Sequence, residues 1–469
     1  MKPVRPRKEQ LAPGAPAPAP KLKVLVAAHS HPEVSIGGAE ISAFQLFETL
    51  QHRADCQSWY LGCDRTLAAR RPGSVLNQPW SDAEYLYAVE SFDWFKFANP
   101  DTRLPGEIER LLQQLQPDVL HFHHYINFGV EILEYARRTL PNCRIVLTLH
   151  EYLAICHHYG QMVTKKHRTL CYQSSPDHCH ACFPEFSPSD FFLRRRYIMR
   201  FFDLVDVFIA PSRFLADRYV AWGVPASKMV VLENLMPEPL VAPHRMAEPD
   251  EIIRIGFFGQ TSALKGINVL FDAAERLAAE NVSNVTFDIF GDYTSQPEEF
   301  QGEFLARLEK AGPNIQFNGP YGRPQLDGLI QSVHAVLVPS VWWENSPLVI
   351  QEALRNRRPV ICSGIGGMAE KVRNGVDGWH FPAGNALALA SLLRNLAKDP
   401  ERLNRVAAAM TGIPASQSGI EDFLRIYRGD TVQSVAASLP RPTVDAGAGR
   451  AAKPAGGAGV APRRMRARP

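Results

Sequence analysis

The chain has 469 residues and a net charge of +3, and 45% of its residues are hydrophobic. This length exceeds one ordinary core and predicts two domains of globular composition. No stretch approaches the roughly 20 uncharged apolar residues of a membrane span, and residues 1–20 combine Lys and Arg with Ala and Pro instead of an apolar signal core. These features argue against an integral membrane protein and predict a cytoplasmic location.

The positive charge is concentrated at the two ends of the chain. Residues 1–23 carry +5 and residues 431–469 carry +6, which leaves −8 for the core between them. Both ends are rich in Ala, Pro and Gly and cannot bury enough apolar surface to fold. We therefore expect disordered basic tails at 1–21 and 430–469, either simply solvated or tethering the protein to anionic lipid at the inner membrane face. The acidic core argues against nucleic-acid binding.

Short apolar runs alternate with amphipathic stretches from residue 22 onward, as in parallel α/β domains. Predicted strands of the first half are 22–28, 118–123, 144–150, 205–211 and 229–235, with helices at 39–50 and 214–222. After a Pro-rich break, strands are predicted at 252–258, 285–290, 335–339 and 359–362, with helices at 267–280, 324–332 and 348–355. The pattern predicts two Rossmann-like, doubly wound domains, 22–240 and 250–412, that face a cleft. A Cys/His-rich insert would occupy 151–200, and a last helix, 415–429, would cross back to the first domain.

Two glutamates around a predicted helix start form the most informative motif. Glu344 and Glu352 are separated by seven residues, and the helix would begin near Ser346, with Pro347 acceptable in its first turn. The next backbone N–H groups would be free to meet a diphosphate. Glu344 would then face a sugar, and Glu352, about 9–12 Å further along the helix, would face a ribose. Two ordinary surface glutamates are the alternative.

Glycine-containing turns follow several predicted strands. Gly37-Gly38 would let the backbone approach a ligand, and the helix start behind it favours an anion, although a tight turn is the simpler explanation. The segment 259–266 places Lys265 beside a helix start at the mouth of the second sheet, where it could meet a phosphate or be merely solvated. Its spacing is not that of a P-loop. Gly366-Gly367 fits either a ligand contact or a turn.

Histidines gather at two predicted strand ends in the first domain. His121, His123 and His124 end one strand and His150 ends the next. Strand carboxyl ends form the ligand crevice of such sheets, so a functional group is expected beside the alternative of structural histidines.

The insert contains four closely spaced cysteines, namely Cys156, Cys171, Cys179 and Cys182. The spacing Cys179-x-x-Cys182 is that of zinc ligands, and a reducing compartment disfavours disulfides. The sequence therefore predicts a structural zinc site, with unligated thiols as the alternative.

These motifs together resemble the retaining GT-B glycosyltransferases of family GT4, also called glycosyltransferase group 1, whose signature is the glutamate pair separated by seven residues. The resemblance spans roughly residues 24–427 and includes Gly37-Gly38-Ala39-Glu40, the His-x-His at 121–123, Gly366-Gly367 with Glu370, and the last helix, in the expected order. It implies the GT-B architecture and transfer of a sugar from a UDP- or GDP-sugar to a glycan, lipid-linked or small-molecule acceptor. The form WWENSP is similar to a variant common in bacterial polysaccharide and lipopolysaccharide enzymes. No cofactor is implied, and no Asp-x-Asp stands where a metal ion would bridge the diphosphate.

The resemblance also implies roles for individual residues. Glu344 would contact the transferred sugar, and His123 would lie near the anomeric carbon or the acceptor. Lys265 would bind the donor diphosphate and Glu352 the ribose. The remaining donor-side residues would be Gly259, Gln260, Ser346, Pro347, Leu348 and Val349, and the acceptor side and phosphate loop would contain Gly37, Gly38 and His150.

Gln260 departs from the family pattern, which usually has Arg at this place. A neutral amide cannot neutralise a diphosphate, so donor affinity would be lower, or another cation such as Arg323 would substitute. This departure is the one feature that favours a non-catalytic nucleotide-sugar-binding subunit. A nucleotide-sugar 2-epimerase of the same architecture is a further alternative, although such an enzyme would not need the glutamate pair in this form.

Overall fold

The structure is a computed structural model that describes residues 20–35, 37–66, 75–235, 246–248, 251–410 and 416–430, with side chains of the last segment from 419 onward. The tails predicted at 1–21 and 430–469 lie outside this part except for residues 20, 21 and 430. Most of the predicted Pro-rich break lies outside it as well. Within the described residues, no helix combines the length and the apolar character needed to cross a membrane.

The first domain is built on an eight-stranded sheet with the order β3-β4-β2-β1-β5-β6-β7-β8. Its strands are β1 (Leu22–Ala27), β2 (Cys56–Asp64), β3 (Leu76–Asn77), β4 (Glu84–Ala88), β5 (Val119–Phe122), β6 (Arg144–Thr148), β7 (Val207–Ala210) and β8 (Met229–Val231). Its helices are α1 (Gly38–Gln51), α2 (Leu104–Leu115), α3 (Ile132–Thr139), α4 (Pro176–Cys182), α5 (Pro188–Phe202) and α6 (Arg213–Trp222). All neighbouring strands are parallel except β3 and β4.

The second domain is built on a fully parallel six-stranded sheet with the order β11-β10-β9-β12-β13-β14. Its strands are β9 (Ile253–Phe258), β10 (Val285–Phe290), β11 (Ile315–Gly319), β12 (Ala335–Val338), β13 (Val360–Ser363) and β14 (Gly378–Phe381). Its helices are α7 (Ile267–Ala279), α8 (Glu298–Lys310), α9 (Leu326–Gln331), α10 (Leu348–Arg355), α11 (Gly366–Lys371), α12 (Ala386–Lys398) and α13 (Pro400–Ala409), and α14 (Ser416–Arg428) follows. Both sheets belong to one compact unit of the chain.

The predicted fold class, two Rossmann-like doubly wound α/β domains, is confirmed. In each sheet the strand order reverses next to the first strand, between β1 and β5 and between β9 and β12. The carboxyl ends of the strands at such a reversal form a crevice for ligands. The candidate site lies at the carboxyl ends of the strands at these two reversals.

Several elements were absent from the sequence prediction. Strand β2 has the sequence CQSWYLGCD. Its polar residues interrupt the apolar run that would predict a strand, although the structure buries almost all of it. Strand β11 is an edge strand of alternating burial, and it lacks the continuous apolar run of a central strand. Helix α5 lies in the insert and has a recognisable start, because Ser187 and Asp190 form a capping box before and within its first turn.

Helix α14 packs against the first sheet. Its residues Ile420, Phe423 and Leu424 share an apolar cluster with Val24 and Val26 of β1. The Tyr427 hydroxyl reaches the buried His121 ring, with 2.6 Å between Oη and Nδ1. The end of the described chain is thereby tied to the domain in which the chain begins.

Candidate active site

Two helix N-termini, one from each domain, meet at the crevice. Helix α1 begins at Gly38 and α10 begins at Leu348, and a Cβ placed on Gly38 would lie 3.7 Å from Leu348 Cδ1. Gly37 lies close to the Glu40 side chain, since a Cβ on Gly37 would come within 2.6 Å of Glu40 Oε2. Neither N-cap residue, Gly37 or Pro347, supplies a side-chain cap. The convergence of two positive helix ends suits a polyanion such as a diphosphate.

Glu344 is held by three donors on one oxygen. Its Oε1 accepts hydrogen bonds from Lys265 Nζ at 2.7 Å, Ser340 Oγ at 2.8 Å and Trp342 Nε1 at 2.8 Å. Lys265 reaches this place because Gly266 packs against the end of β12, where a Cβ would collide with Pro339 O at 1.9 Å. The cation and the carboxylate predicted for diphosphate and sugar thus form one ion pair, and Lys265 remains one-third exposed.

Glu352 is buried within α10 and pairs with Arg323. The distance from Arg323 Nη1 to Glu352 Oε1 is 2.5 Å. Burial raises the pKa of Glu352, and the guanidinium of Arg323 opposes that shift. From the sequence, Arg323 was a candidate to replace the arginine that the family usually has at position 260. In the structure Arg323 forms an ion pair with Glu352 instead. Gln260 instead donates to Ser295 Oγ at 3.0 Å on the surface.

The histidine group separates into a structural member and members at the crevice. His121 is fully used, since its Nδ1 contacts Tyr427 and its Nε2 lies 2.7 Å from Thr148 Oγ1. His123 Nδ1 lies 2.9 Å from His150 Nε2, and His123 Nε2 is buried with no hydrogen-bond partner among the described residues. Burial lowers the pKa of His150 to about 3 and that of His123 well below its ordinary value. Both rings are therefore neutral, and His123 can offer a hydrogen bond but not a positive charge.

Two histidine–carboxylate pairs complete the first-domain side and were not predicted. His124 Nδ1 accepts the backbone N–H groups of Tyr125 and Ile126, so its proton lies on Nε2, 3.1 Å from Glu151 Oε1. His29 Nε2 lies 3.1 Å from Glu40 Oε1, and its ring meets that of His124 edge to face at 4.7 Å.

The carboxyl group of Glu151, on the first-domain side of the crevice, is a weaker acid than an ordinary glutamate. Burial raises its pKa to about 7, while one-quarter of its side chain remains exposed. It lies three residues after the end of β6, and His29 lies two residues after the end of β1. Acidic and imidazole groups immediately after predicted strands were the signal that could have identified both pairs.

The segment after β12 crosses to the first domain through side-chain hydrogen bonds. Asn345 accepts from Ser212 Oγ at 2.6 Å and donates to the carbonyls of Leu149 and His150 at 3.4 and 3.3 Å. Ser346 Oγ donates to Glu233 at 2.8 Å. These contacts place Glu344 beside the strand end that contains His150.

Glu370 makes a second connection between the domains. Its two carboxylate oxygens accept the backbone N–H groups of Arg213 and Phe214 at 2.8 and 3.0 Å, at the start of α6. A carboxylate of the second domain thus stabilises a helix N-terminus of the first.

The structure does not support the predicted zinc site. Cys156, Cys171, Cys179 and Cys182 are free thiols, and burial raises the pKa of Cys156 to about 11. Within the described part of the chain, no three or more His, Cys, Asp or Glu side chains are placed to hold a metal ion. The insert instead meets the glutamate motif directly, since Trp343 Nε1 donates to the Cys171 carbonyl at 3.0 Å.

Comparison with known families identifies the class of protein. Residues 36–236 match the model described as Glycosyltransferase Family 4, and residues 244–411 match the model described as Glycosyl transferases group 1. The chain belongs to the GT-B glycosyltransferases that combine these two domains, as the resemblance implied.

Curated relatives are similar over part of the chain. The chain is 30% identical over 146 residues to a D-inositol 3-phosphate glycosyltransferase of Streptomyces griseus, covering 31% of this chain and 30% of the relative. It is 33% identical over 182 residues to the enzyme of that name from Mycolicibacterium paratuberculosis, covering 37% and 40%. An alpha-D-kanosaminyltransferase of Streptomyces kanamyceticus is 24% identical, with coverage of 37% and 44%. The matched segments thus span less than half of each relative.

Solved structures share the fold over most of the chain. Anabaena HepE in complex with UDP-glucose has a TM-score of 0.58 at 17% identity, covering 87% of this chain and all of that one. Sucrose-phosphate synthase from Thermosynechococcus elongatus has a TM-score of 0.61 at 15% identity, covering 87% and 99%. At these identities the likeness supports the architecture alone.

Proposed function

We propose that the protein transfers a sugar from a nucleotide-sugar to a hydroxyl of an acceptor bound by the first domain, with retention of anomeric configuration and no metal ion in the transfer step. The observation that carries the proposal is the convergence of the Lys265–Glu344 pair with the N-termini of α1 and α10. The complexes of HepE with UDP and UDP-glucose support a donor of this class.

The donor diphosphate would lie between the two helix starts. Their backbone N–H groups supply fixed partial positive charge, and Lys265 adds a full charge when it leaves Glu344 for the phosphate. Glu352, kept in place by Arg323, would accept the ribose hydroxyls. Electrostatic stabilisation of the departing diphosphate is then built into the fold and needs no reorganisation during the reaction.

The transfer step would break the bond between the anomeric carbon and the diphosphate oxygen. The acceptor hydroxyl attacks from the same face, and its proton passes to the departing phosphate oxygen, so no covalent nucleophile is needed. Glu344, released by Lys265, would stabilise the positive charge that grows on the sugar. His123, neutral because it is buried, would hold a sugar hydroxyl through Nε2.

For the acceptor we propose a glycan or lipid-linked saccharide of bacterial polysaccharide or lipopolysaccharide type. The WWENSP form of the motif supports this assignment. The reaction would take place in the cytoplasm, with the basic ends of the chain favouring the inner membrane face.

Donor binding and turnover without an acceptor test the proposal together. UDP-, GDP- and ADP-sugars would be compared by thermal shift, since a donor at about 100 times its Kd stabilises the fold by about 2.7 kcal/mol. A transferase should also hydrolyse the preferred donor slowly. Binding without any turnover would favour the non-catalytic subunit, and an epimeric nucleotide-sugar in the product mixture would favour the epimerase.

A further inference from the structure

Helix α5 presents an apolar and basic face to solvent. Phe191, Arg194, Ile198, Phe201 and Phe202 are buried against the first domain. At 100° per residue, the opposite side of the helix contains Phe192, Leu193, Arg196 and Arg200, all of them exposed. Phe192 is 54% and Leu193 58% exposed, so two large apolar side chains lie side by side in water.

The face is held rigidly in the first domain. The capping box of Ser187 and Asp190 fixes the start of the helix. Arg194, on the buried side, donates to the carbonyls of Phe95, Leu153 and Ala154, each at 2.7 Å. The exposed side chains therefore project from a fixed helix and not from a flexible loop.

Two arginines, Arg196 and Arg200, lie on the same side of α5 as the two apolar side chains, and the exposed Asp203 follows the end of the helix. Arg196 has no ion-pair partner among the described residues, and Arg200 has one exposed ion pair, at 3.6 Å with Glu134, beside its contact with the Phe201 ring. An anionic partner matches this surface.

Two other occupants fit the face less well. A second copy related by twofold symmetry would place Arg196 and Arg200 against like charges. A nucleic acid would satisfy the arginines but leave Phe192 and Leu193 without an apolar environment. A membrane of anionic lipid accommodates both features, because apolar side chains enter the headgroup boundary while arginines meet phosphates.

We propose that the exposed face of α5, formed by Phe192, Leu193, Arg196 and Arg200, docks the first domain on an anionic phospholipid surface. The inference does not depend on the donor chemistry, and it locates the contact on a folded helix and not on the basic ends of the chain. A role of this contact in the use of a lipid-linked acceptor rests on the function proposed above.

Vesicle flotation of the full-length protein tests the proposal. The vesicles are phosphatidylcholine with or without phosphatidylglycerol, and the variants are Phe192→Ser with Leu193→Ser, and Arg196→Gln with Arg200→Gln. The matched control is Leu305→Ser with Lys310→Gln, an exposed pair on α8. Both basic ends are present in every variant, so a difference reports on α5. Thermal shift with UDP shows that each variant is folded, apart from any effect on lipid binding.

We expect wild type and the α8 control to float only with anionic vesicles. The arginine variant should bind about 25-fold more weakly, at about fivefold for each charge near an anionic surface. The apolar variant should bind about tenfold more weakly, because two side chains no longer leave water. Equal flotation of the α5 variants and wild type would assign binding to other parts of the chain and overturn the proposal. It would equally fail if wild type did not float, or floated as well with neutral vesicles.

Discussion

Lys265 Nζ and Glu344 Oε1 are 2.7 Å apart, which makes an ion pair of the two residues that the sequence assigned to different parts of the donor. Each of the two side chains neutralises the charge of the other at the crevice. A bound diphosphate would compete with Glu344 for the lysine, and the carboxylate would then face the sugar with its charge uncompensated. In the proposed function, donor binding and creation of the electrostatic environment of the reaction would thereby be coupled.

Removal of the cation should weaken donor binding. Lys265→Ala is expected to lower the affinity for the nucleoside diphosphate by about 1.5–3 kcal/mol, the range for a hydrogen bond to a charged group. Calorimetry with UDP and GDP measures it, and Lys310→Ala at the exposed end of α8 is the control. Unchanged affinity would remove Lys265 from the donor site.

Neutralising the carboxylate should affect rate and not donor affinity. Glu344→Gln keeps the shape of the side chain, and we expect transfer at saturating donor to fall by about 10²–10³, by analogy with loss of one preorganised electrostatic contact. Donor affinity should change by less than about tenfold, because Lys265 becomes free for the phosphate. Single-turnover transfer measured beside equilibrium binding separates the two effects. Transfer at the wild-type rate would show that the carboxylate lies away from the reacting centre.

The hydrogen bond between Asn345 and Ser212 should couple the two domains energetically. Asn345→Ala leaves the Ser212 hydroxyl without its acceptor, and a loss of about 1–3 kcal/mol in unfolding free energy is expected. A double-mutant cycle with Ser212→Ala, measured by denaturant unfolding, isolates the pair. Strictly additive effects of the two substitutions would mean that the contact contributes nothing to stability.

Titration of Glu151 should make stability depend on pH. Its pKa is about 7 in the folded protein and near 4.5 when unfolded, so the folded state binds more protons between these values. The contribution of Glu151 to stability is therefore fully present below the unfolded pKa and is lost as the pH rises through about 7, by about 1–3 kcal/mol once partial exposure is considered. Thermal unfolding of wild type and Glu151→Gln across this range should give a shallower slope for the variant. Parallel slopes would contradict the raised pKa.

The hydrogen bond between the Tyr427 hydroxyl of the last helix and His121 of the first sheet should contribute measurably to the free energy of unfolding. Tyr427→Phe removes the hydroxyl that lies 2.6 Å from His121 Nδ1 and leaves a buried ring nitrogen unpaired, which should cost about 1–3 kcal/mol. Chemical denaturation measures it, with Tyr172→Phe, an exposed tyrosine, as the control. Equal stability of wild type and Tyr427→Phe would show that His121 does not need this partner.

The sequence determined the fold class, because buried parallel strands are continuous apolar runs that alternate with amphipathic helices. Strands β1, β9, β10 and β12 are found within a residue or two of their predicted bounds. Strands with interior polar residues, such as β2, and edge strands, such as β11, were not predicted, because their burial patterns depend on neighbouring elements of the sheet. The start of α10 was readable for a local reason, since Pro347 directly precedes Leu348 and proline is acceptable at a helix start.

Only the tertiary structure decided which side chains meet. Lys265 and Glu344 are 79 residues apart in the sequence, and Arg323 and Glu352 are 29 residues apart, so local spacing predicts neither ion pair. Both depend on strand order, which brings the ends of distant strands together, and on a glycine such as Gly266 that lets one backbone approach another. Burial in the packed crevice raises the pKa of Glu151 and lowers the pKa of His123. Sequence alone names the chemical groups, whereas their partners and ionisation arise when distant segments exclude water from the same place.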